Sequence, residues 1–317
     1  MHNIKNTFDK FYKIILEILH PDIDKQGNFI KPGVVPKFSD TEIIALSLAS
    51  ECLSIDSENY LFGKLKTEYR DDFPNLIDRS QYNVRRRKLL QRIEFVRDKM
   101  ANKLINQENI FIVDSMPVEV CKLSRSRRSK VCKENFETAP DKGFCSAQNS
   151  FYYGYKLHGI CSADGIFNSF DLTKASVHDI HYLQDVKERT RLDSARLVSN
   201  AYLLGDRAYL SEKIQIDLSR LDSARLVSYA NIKLNTPIRS NQHDYKKQPF
   251  LLRKARKRIE TLFSQLCDQF MIRRNYAKSF DGFRTRILSK LTALTILQFI
   301  NKFFTHKPVN HIKYALA

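Results

Sequence analysis

Hydrophobic and polar positions in the first hundred residues recur with helical spacing. The stretch Ser39-Asp40-Thr41-Glu42 is a capping box, in which the first and last side chains bond each other's backbone N–H, and Phe38 and Ile43 occupy the two positions of a hydrophobic staple. We therefore expect a helix to begin there. A turn is expected over 75–80, and the pattern then predicts one long amphipathic helix over 82–105.

Beyond these helices the periodicity changes to that of strands. The run IFIV predicts a buried strand that ends in Asp114 and breaks at Met116-Pro117. Residues 151–161 and 166–173 alternate between polar and apolar, and the turn sequence SADG joins them. This arrangement predicts an antiparallel hairpin.

The rest of the chain alternates between the two patterns. Helical spacing in VHDIHYLQDVKER precedes the strand-like run YLLGDRAY, which carries Asp206 at its tip. A further helix, the short strand NIKLNTP and helices from Phe250 onwards complete the order. This order predicts an α/β protein whose mixed sheet is covered by helices on both faces. The predicted divisions are a helical N-terminal region over 1–107, a sheet-containing domain over 108–305 and a tail over 306–317.

The charge balance indicates the class of partner. The 317 residues include 53 Lys and Arg against 35 Asp and Glu, which gives a net charge of +18. An excess of this size favours a polyanionic partner, usually nucleic acid. The longest apolar run, LTALTILQFI, is too short to span a bilayer, and the amphipathic N-terminus has no signal-peptide core. We therefore expect a cytoplasmic, nucleoid-associated protein.

Cysteine and histidine do not indicate a zinc or redox site. None of the six cysteines forms a C-x-x-C pair, which favours reduced, mostly buried thiols. His178 and His181 are spaced to share a helix face and could bind a metal, but an ordinary polar face is the favoured interpretation.

Two basic segments are candidates for phosphate contact. Arg85, Arg86, Arg87 and Lys88 form a dense basic turn near the start of the predicted long helix. A Ser-, Arg- and Lys-rich segment, which includes 122–133, separates the first strand from the hairpin and is expected to be a loop. Both segments could be solvated surface or could neutralise DNA phosphates.

Three carboxylates stand out. Asp114 and Asp206 each follow an apolar run, and Glu260 lies beside the apolar stripe of a helix, one turn after Arg256. Each has an ordinary explanation, a turn aspartate or an Arg–Glu pair. Brought together, however, they would repel each other unless cations neutralise them, and Mg²⁺ suits such oxygen ligands. Two such ions flanking a phosphate catalyse phosphoryl transfer.

The ordered set of motifs resembles the DDE transposases of bacterial insertion sequences over roughly residues 110–300. The segments that carry the resemblance are IVDSMPV, YYGYKLHGI, FDLTKASVHD, LLGDRAYLS and RKARKRIETLFSQL. The resemblance implies an RNase H-like fold, a five-stranded mixed sheet flanked by helices, and a catalytic, metal-binding triad of Asp114, Asp206 and Glu260. It also implies two Mg²⁺ ions, with Mn²⁺ as a substitute, and a homodimer acting on double-stranded DNA.

The same resemblance implies supporting residues. His178, Asp179 and Arg207 are expected around the metal ligands, the His178-Asp179 pair in a structural role. Arg256 matches an arginine that precedes the glutamate by four positions. A variant of the pattern with a tyrosine and a lysine further out is not met, because Arg253 and Cys267 stand there. The expected DNA contacts are Arg85, Arg86, Arg87, Lys88, Arg125, Arg127, Arg128, Lys130, Arg253, Arg256 and Lys257.

The implied chemistry is hydrolytic nicking of DNA at element ends, followed by attack of the freed 3′-OH on target DNA. One feature departs from the family pattern: LDSARLVS occurs at 192–199 and again, identically, at 221–228. The copy could be a harmless loop or could displace the helix after Asp206 and abolish activity. A decayed, DNA-binding relative and an RNase H-like nuclease without strand transfer are therefore alternative hypotheses.

Overall fold

The computed structural model describes residues 3–106, 109–184, 201–209, 232–237 and 249–316. They fall into two compact units. Unit 1 comprises Met1–Leu104, Lys130–Asn135 and Gln265–Ala317, and unit 2 comprises Ile105–Ser129 and Phe136–Ser264. The predicted division at residue 107 lies close to the boundary at Ile105. Residues 265–305, which the sequence assigns to the sheet-containing domain, group with the N-terminal helices.

Unit 1 is helical. Its helices are α1 (Ile4–Leu19), α2 (Asp40–Cys52), α3 (Glu58–Thr67), α4 (Arg79–Lys88), α5 (Leu90–Leu104) and α7 (Phe280–Phe303), with short 3-10 turns at His20–Asp22 and Ile312–Tyr314. The predicted capping box is present at the start of α2, where Ser39 and Glu42 bond each other's backbone N–H. Phe38 and Ile43 are both buried, as the predicted staple requires.

The predicted long helix over 82–105 is wrong in one respect. It is two helices, α4 and α5, separated at Leu89, whose backbone (φ −87°, ψ 8°) leaves the helical region. Leu89 is buried and no proline or glycine marks the break, so local sequence contains no stop signal.

Helix α7 is the central helix of unit 1 and packs against α2 and α5. It is buried on all sides over 285–301, which explains its apolar sequence without a bilayer. None of the described helices is long and apolar enough to cross a membrane. Polar side chains on α7 are paired inside the unit, including Ser289 with Ser47 (3.0 Å) and Lys290 with Glu51 (2.7 Å).

Unit 2 contains a six-stranded mixed sheet. Its strands are β1 (Ile110–Cys121), β2 (Asp141–Cys145), β3 (Ser150–Ser162), β4 (Phe167–Lys174), β5 (Tyr202–Leu204) and β6 (Lys233–Asn235). 3-10 turns occupy Leu123–Arg125, Ser146–Gln148 and Arg207–Tyr209, and most of helix α6 (Phe250–Asp268) belongs to this unit. The order β2-β3-β1-β5-β6, with β4 also on β3, confirms the mixed α/β class.

The strand pairings confirm the predicted hairpin and extend the predicted sheet. β3 and β4 pair antiparallel, and Gly165 takes the positive φ (84°) that the turn needs. β1 pairs antiparallel with β3 and parallel with β5, and β5 pairs parallel with β6. The sixth strand, β2, lies in the segment predicted to be a loop, and its sequence DKGFC lacks strand-forming alternation.

Candidate active site

Asp114 lies inside β1 and not at its end. The predicted break at Met116-Pro117 is wrong, because β3 pairs with β1 as far as Cys121. The parallel pairing with β5 ends at Ile112, so Pro117 lies where that edge of β1 has no strand neighbour among the described residues. Proline, which cannot donate to a ladder, is tolerated at such an edge. Asp114 therefore lies two residues beyond the end of the parallel pairing.

The side chain of Asp114 points to the face of the sheet that α6 covers. Asp114 lies directly opposite Gly159 on β3, and residues paired in this way project to the same face. A Cβ on Gly159 would lie 2.8 Å from the ring of Phe167 and 3.7 Å from that of Phe263 in α6. Because Gly159 has no side chain, the rings of Phe167 and Phe263 can lie close to β3 on the face that carries the Asp114 carboxylate.

Asp206 occupies the corresponding place beside β5. Leu204 pairs with Ile112 in the parallel ladder, and Asp206 and Asp114 each follow two residues later. The Asp206 carboxylate accepts the N–H of Ala208 (2.8 Å), which lies within the 3-10 turn Arg207–Tyr209. The predicted strand is present but ends at Leu204, so Asp206 lies two residues past it and not at its tip.

The electrostatics of Asp114 indicate that the two aspartates are neighbours. Burial raises the pKa of Asp114 from its usual 3.8 to about 7, and the charges of Asp206 and Asp179 add to the rise. The N–H of Ser115, which donates to its carboxylate, and the guanidinium of Arg256 act in the opposite direction. Asp114 thus lies among two other carboxylates and one cation.

Arg256 belongs to α6, one turn before Glu260. The predicted apolar stripe is present, since Ile259, Leu262 and Leu266 are buried, while the side chain of Glu260 is exposed. Within the described part of the chain, no three His, Cys, Asp or Glu side chains form a group that could hold a metal ion. The structure thus brings Asp114 and Asp206 together without gathering Glu260 into a ligand cluster.

Asp179 lies on the opposite face of β1, where it contacts the residue next to Asp114. The hydroxyl of Ser115 donates to Asp179 Oδ1 (3.0 Å), and the ammonium of Lys156 lies 3.2 Å from the same atom. Lys156 also donates to the carbonyl of Val177 (2.8 Å). Ser115 alternates with Asp114 along the strand, so its side chain projects to the other face.

His158 and Tyr182 line the same polar cluster. His158 Nδ1 lies 3.9 Å from Asp179 Oδ1, His158 Nε2 bonds Thr173 (2.8 Å), and the ring of Tyr182 stacks on the imidazole with centroids 4.9 Å apart. Burial lowers the pKa of His158 to about 4, although Asp179 opposes the shift, so the ring is neutral at physiological pH. Lys156 is therefore the cation that balances Asp179.

Sequence reasoning missed Tyr209. Its side chain is fully buried in the core of unit 2, and its hydroxyl has no hydrogen-bond partner among the described residues. Burial raises the pKa of Tyr209 well above its ordinary value, and the charges of Asp179, Asp114 and Asp206 add to the rise. The signal in the sequence was its spacing, three residues after Asp206 within LLGDRAYLS.

The other expected supporting residues are exposed. His178 and His181 are exposed, and the ring of His178, which precedes the helical residues, accepts the N–H of Ile180 (3.4 Å). Arg207 is exposed at the start of its 3-10 turn. Only Asp179 of the three expected supporting residues contacts a neighbour of Asp114.

The four residues of the basic turn at the end of α4 differ in their contacts. Arg86 is 3% exposed and pairs with Glu51 (2.9 Å) and Glu58 (3.4 Å), so its guanidinium is engaged inside unit 1, and its predicted contact with DNA gains no support from this position. Arg85 is bonded to Asp40 (2.6 Å) and to the carbonyl of Phe38. Its guanidinium is therefore engaged within unit 1.

The remaining basic candidates are accessible. Arg87 and Arg256 are partly exposed, and the others are exposed: Lys88, Arg125, Arg127, Arg128, Lys130, Arg253 and Lys257. Their contact with DNA stays a prediction. The repeated segments 192–199 and 221–228 lie outside the described residues, as does the helix predicted after Asp206.

Comparison with known proteins identifies the family of the chain. No curated protein matches the chain. A solved structure described as a cryo-EM structure of a piggyBac transposase synaptic complex with hairpin DNA aligns with 11% identity and a TM-score of 0.45, over 98% of this chain and 76% of that chain. The family described as transposase DDE domain matches residues 105–296, which is more than half of the chain and includes Asp114, Asp206 and Glu260. The chain therefore belongs to the DDE transposase family.

Proposed function

We propose that this protein is an insertion-sequence transposase that nicks DNA at element ends and joins the freed 3′-OH to target DNA. The observation that carries the proposal is the placement of Asp114 and Asp206 just beyond paired positions of two parallel strands, inside a DDE transposase domain. The family acts on DNA and generally uses divalent metal ions. The activity proposed for this chain is two-metal phosphoryl transfer.

The donor set on the α6 face fits a hard divalent cation. Asp114 and Asp206 supply oxygen ligands only, and the charge of Asp206 raises the electrostatic cost of ionising Asp114, which a cation would relieve. Mg²⁺ bound there, two ions in the proposal and replaceable by Mn²⁺, would activate an attacking oxygen and stabilise the leaving one.

Glu260 is the proposed third ligand. Arg256 is close enough to Asp114 to affect its pKa, and Glu260 lies one turn further along the same helix. A change of side-chain rotamer or a rotation of α6 would be needed to complete the set. Arg256 would then lie beside the carboxylates and could contact a phosphate oxygen of the substrate.

In this proposal Asp179 is a positioning residue. It holds the Ser115 hydroxyl, and the Ser115 N–H holds the Asp114 carboxylate, so Asp179 fixes the direction of Asp114 without touching substrate. Lys156 pairs with Asp179 and holds its carboxylate in place. We further propose that the protein acts as a homodimer on paired DNA ends, which light scattering of the DNA complex would test.

The decisive experiment is a nicking and strand-transfer assay of the purified protein on labelled DNA from both sides of its coding sequence, with Mg²⁺ or Mn²⁺. Chelation and Asp114→Asn should each abolish both products. Asp141→Asn, which removes an exposed carboxylate from β2, is the matched control and should retain both. Nicking without joining would indicate a nuclease, and binding without nicking would indicate a decayed relative.

A further inference from the structure

Unit 1 contains a cleft of about 1040 Å³, and most of the residues that line it are of polar or charged types. Four segments form it: residues 56–59, one side of α4, residues 130–134, and residues 276–286 at the start of α7. Pockets for small organic ligands are predominantly apolar. The composition of this cleft therefore points to an ionic ligand.

The acidic residues in the lining are engaged within the unit. Glu58 accepts both bonds of the Asn83 amide (3.0 Å each) and lies 3.4 Å from Arg86. Glu134 accepts the N–H of Phe280 at the start of α7. Asp56 lies 4.0 Å from the buried ammonium of Lys290. Internal cations therefore oppose the charges of Glu58 and Asp56, whereas Glu134 is held by a backbone N–H.

Three basic side chains in the lining have no acidic partner among the described residues. Arg87, Lys130 and Lys278 make no ion pair with any described residue, and the Nε of Arg87 is buried without a hydrogen-bond partner. They come from three segments far apart in sequence. Gathering unpaired cations is unfavourable, because they repel each other unless a polyanion is bound.

We propose that this cleft binds the phosphodiester backbone of DNA. The inference rests on the proposed function, since it names the place where the helical unit holds the DNA that unit 2 would cut. In this proposal the residues of the basic turn have different roles: Arg85 and Arg86 stabilise unit 1, and Arg87 contacts phosphate.

The test compares two triple variants of the full chain. One is Arg87→Gln, Lys130→Gln, Lys278→Gln, and the control is Lys13→Gln, Lys103→Gln, Lys313→Gln, which removes the same charge from exposed lysines of unit 1 outside the cleft. Affinity for labelled duplex DNA is measured by fluorescence anisotropy over a salt series. Each phosphate contact contributes about 0.9 to the log–log slope, so the cleft variant should lower the slope by about 2.7 and the control by less than about 0.9.

Equal slopes for the two variants would overturn the proposal. Melting temperatures establish that both fold; if the triple variant does not, Lys130→Gln, Lys278→Gln replaces it, with an expected loss of about 1.8 in slope. Inorganic phosphate that stabilises the wild type but not the cleft variant, with DNA binding unchanged, would assign the cleft to a small anion. Duplex RNA that competes better than DNA would reject DNA as the ligand. A wild type that binds no DNA would reject the proposed function itself.

Discussion

Ser115 connects Asp179 to Asp114. Its hydroxyl donates to Asp179 Oδ1 at 3.0 Å and its backbone N–H donates to Asp114 Oδ1 at 2.8 Å. The two carboxylates lie on opposite faces of β1, so a change at Asp179 can reach Asp114 without a direct contact.

Ser115→Ala should weaken the use of metal while leaving the fold intact. Loss of the hydroxyl frees Ser115 from Asp179, and removal of a group that orients a metal ligand typically costs 10–100-fold in metal affinity or activity. We expect the Mg²⁺ concentration for half-maximal nicking to rise by about 10-fold or more. Ser115→Thr keeps the hydroxyl and should restore the wild-type value; an unchanged Mg²⁺ requirement in Ser115→Ala would contradict the positioning role.

Asp206→Asn should separate catalysis from binding. The substitution keeps the size of the side chain but removes the charge that would hold a metal, so nicking and strand transfer should be lost together. Affinity for DNA should be retained or increase, because a charge that repels phosphate is gone. A loss of melting temperature, binding and cleavage together would instead identify Asp206 as a turn residue needed for folding.

Glu260→Gln tests the third ligand. Because Glu260 is exposed, the substitution should leave the melting temperature unchanged, but it should abolish nicking if α6 completes the metal site. Glu17→Gln, which changes an exposed glutamate of α1, is the control and should remain active. Full activity of Glu260→Gln would remove this residue from the site.

Substitution of the neighbouring arginines of α4 should have different effects: at Arg86 it should lower stability, and at Arg87 it should weaken DNA binding. Arg86→Gln leaves Glu51 without one of its buried partners, and breaking a buried ion pair costs about 3–5 kcal/mol of unfolding free energy. Arg87→Gln removes no ion pair and should unfold near the wild-type denaturant concentration while binding DNA less tightly. Equal denaturation midpoints for the two variants would contradict this division.

The stability of the fold should fall at acid pH through Glu51. Burial alone would raise the pKa of Glu51, but Lys290, Arg286 and Arg86 outweigh it and lower the pKa from 4.5 to about 2. A carboxylate with a lowered folded-state pKa stabilises the fold above pH 4.5 and loses that contribution as pH falls toward 2. Glu51→Gln should flatten this part of a denaturation–pH curve, and an unchanged curve would show that other groups dominate.

Local sequence determined the elements whose signals lie within a few residues. The capping box before α2, the β3–β4 hairpin with Gly165 in its turn and the apolar stripe of α6 each depend on side chains one turn or one ladder step apart. Propensity and turn chemistry act over that range, so these predictions are confirmed.

The order of these motifs also determined the family. Asp114 and Asp206 stand out because each follows an apolar run, and their place in the ordered set indicates a transposase from the sequence alone. The family match over residues 105–296 confirms that conclusion.

Tertiary structure decided what depends on residues far apart in the chain. β1 continues past Pro117 because β3 pairs with it, β2 forms although its own sequence favours a loop, and Arg86 is buried because Glu51 lies beside it. The contacts of Asp179 and the burial of Tyr209 likewise require strands and turns from separate segments to meet. Register and packing set these distances, and neither is encoded in the periodicity of any single segment.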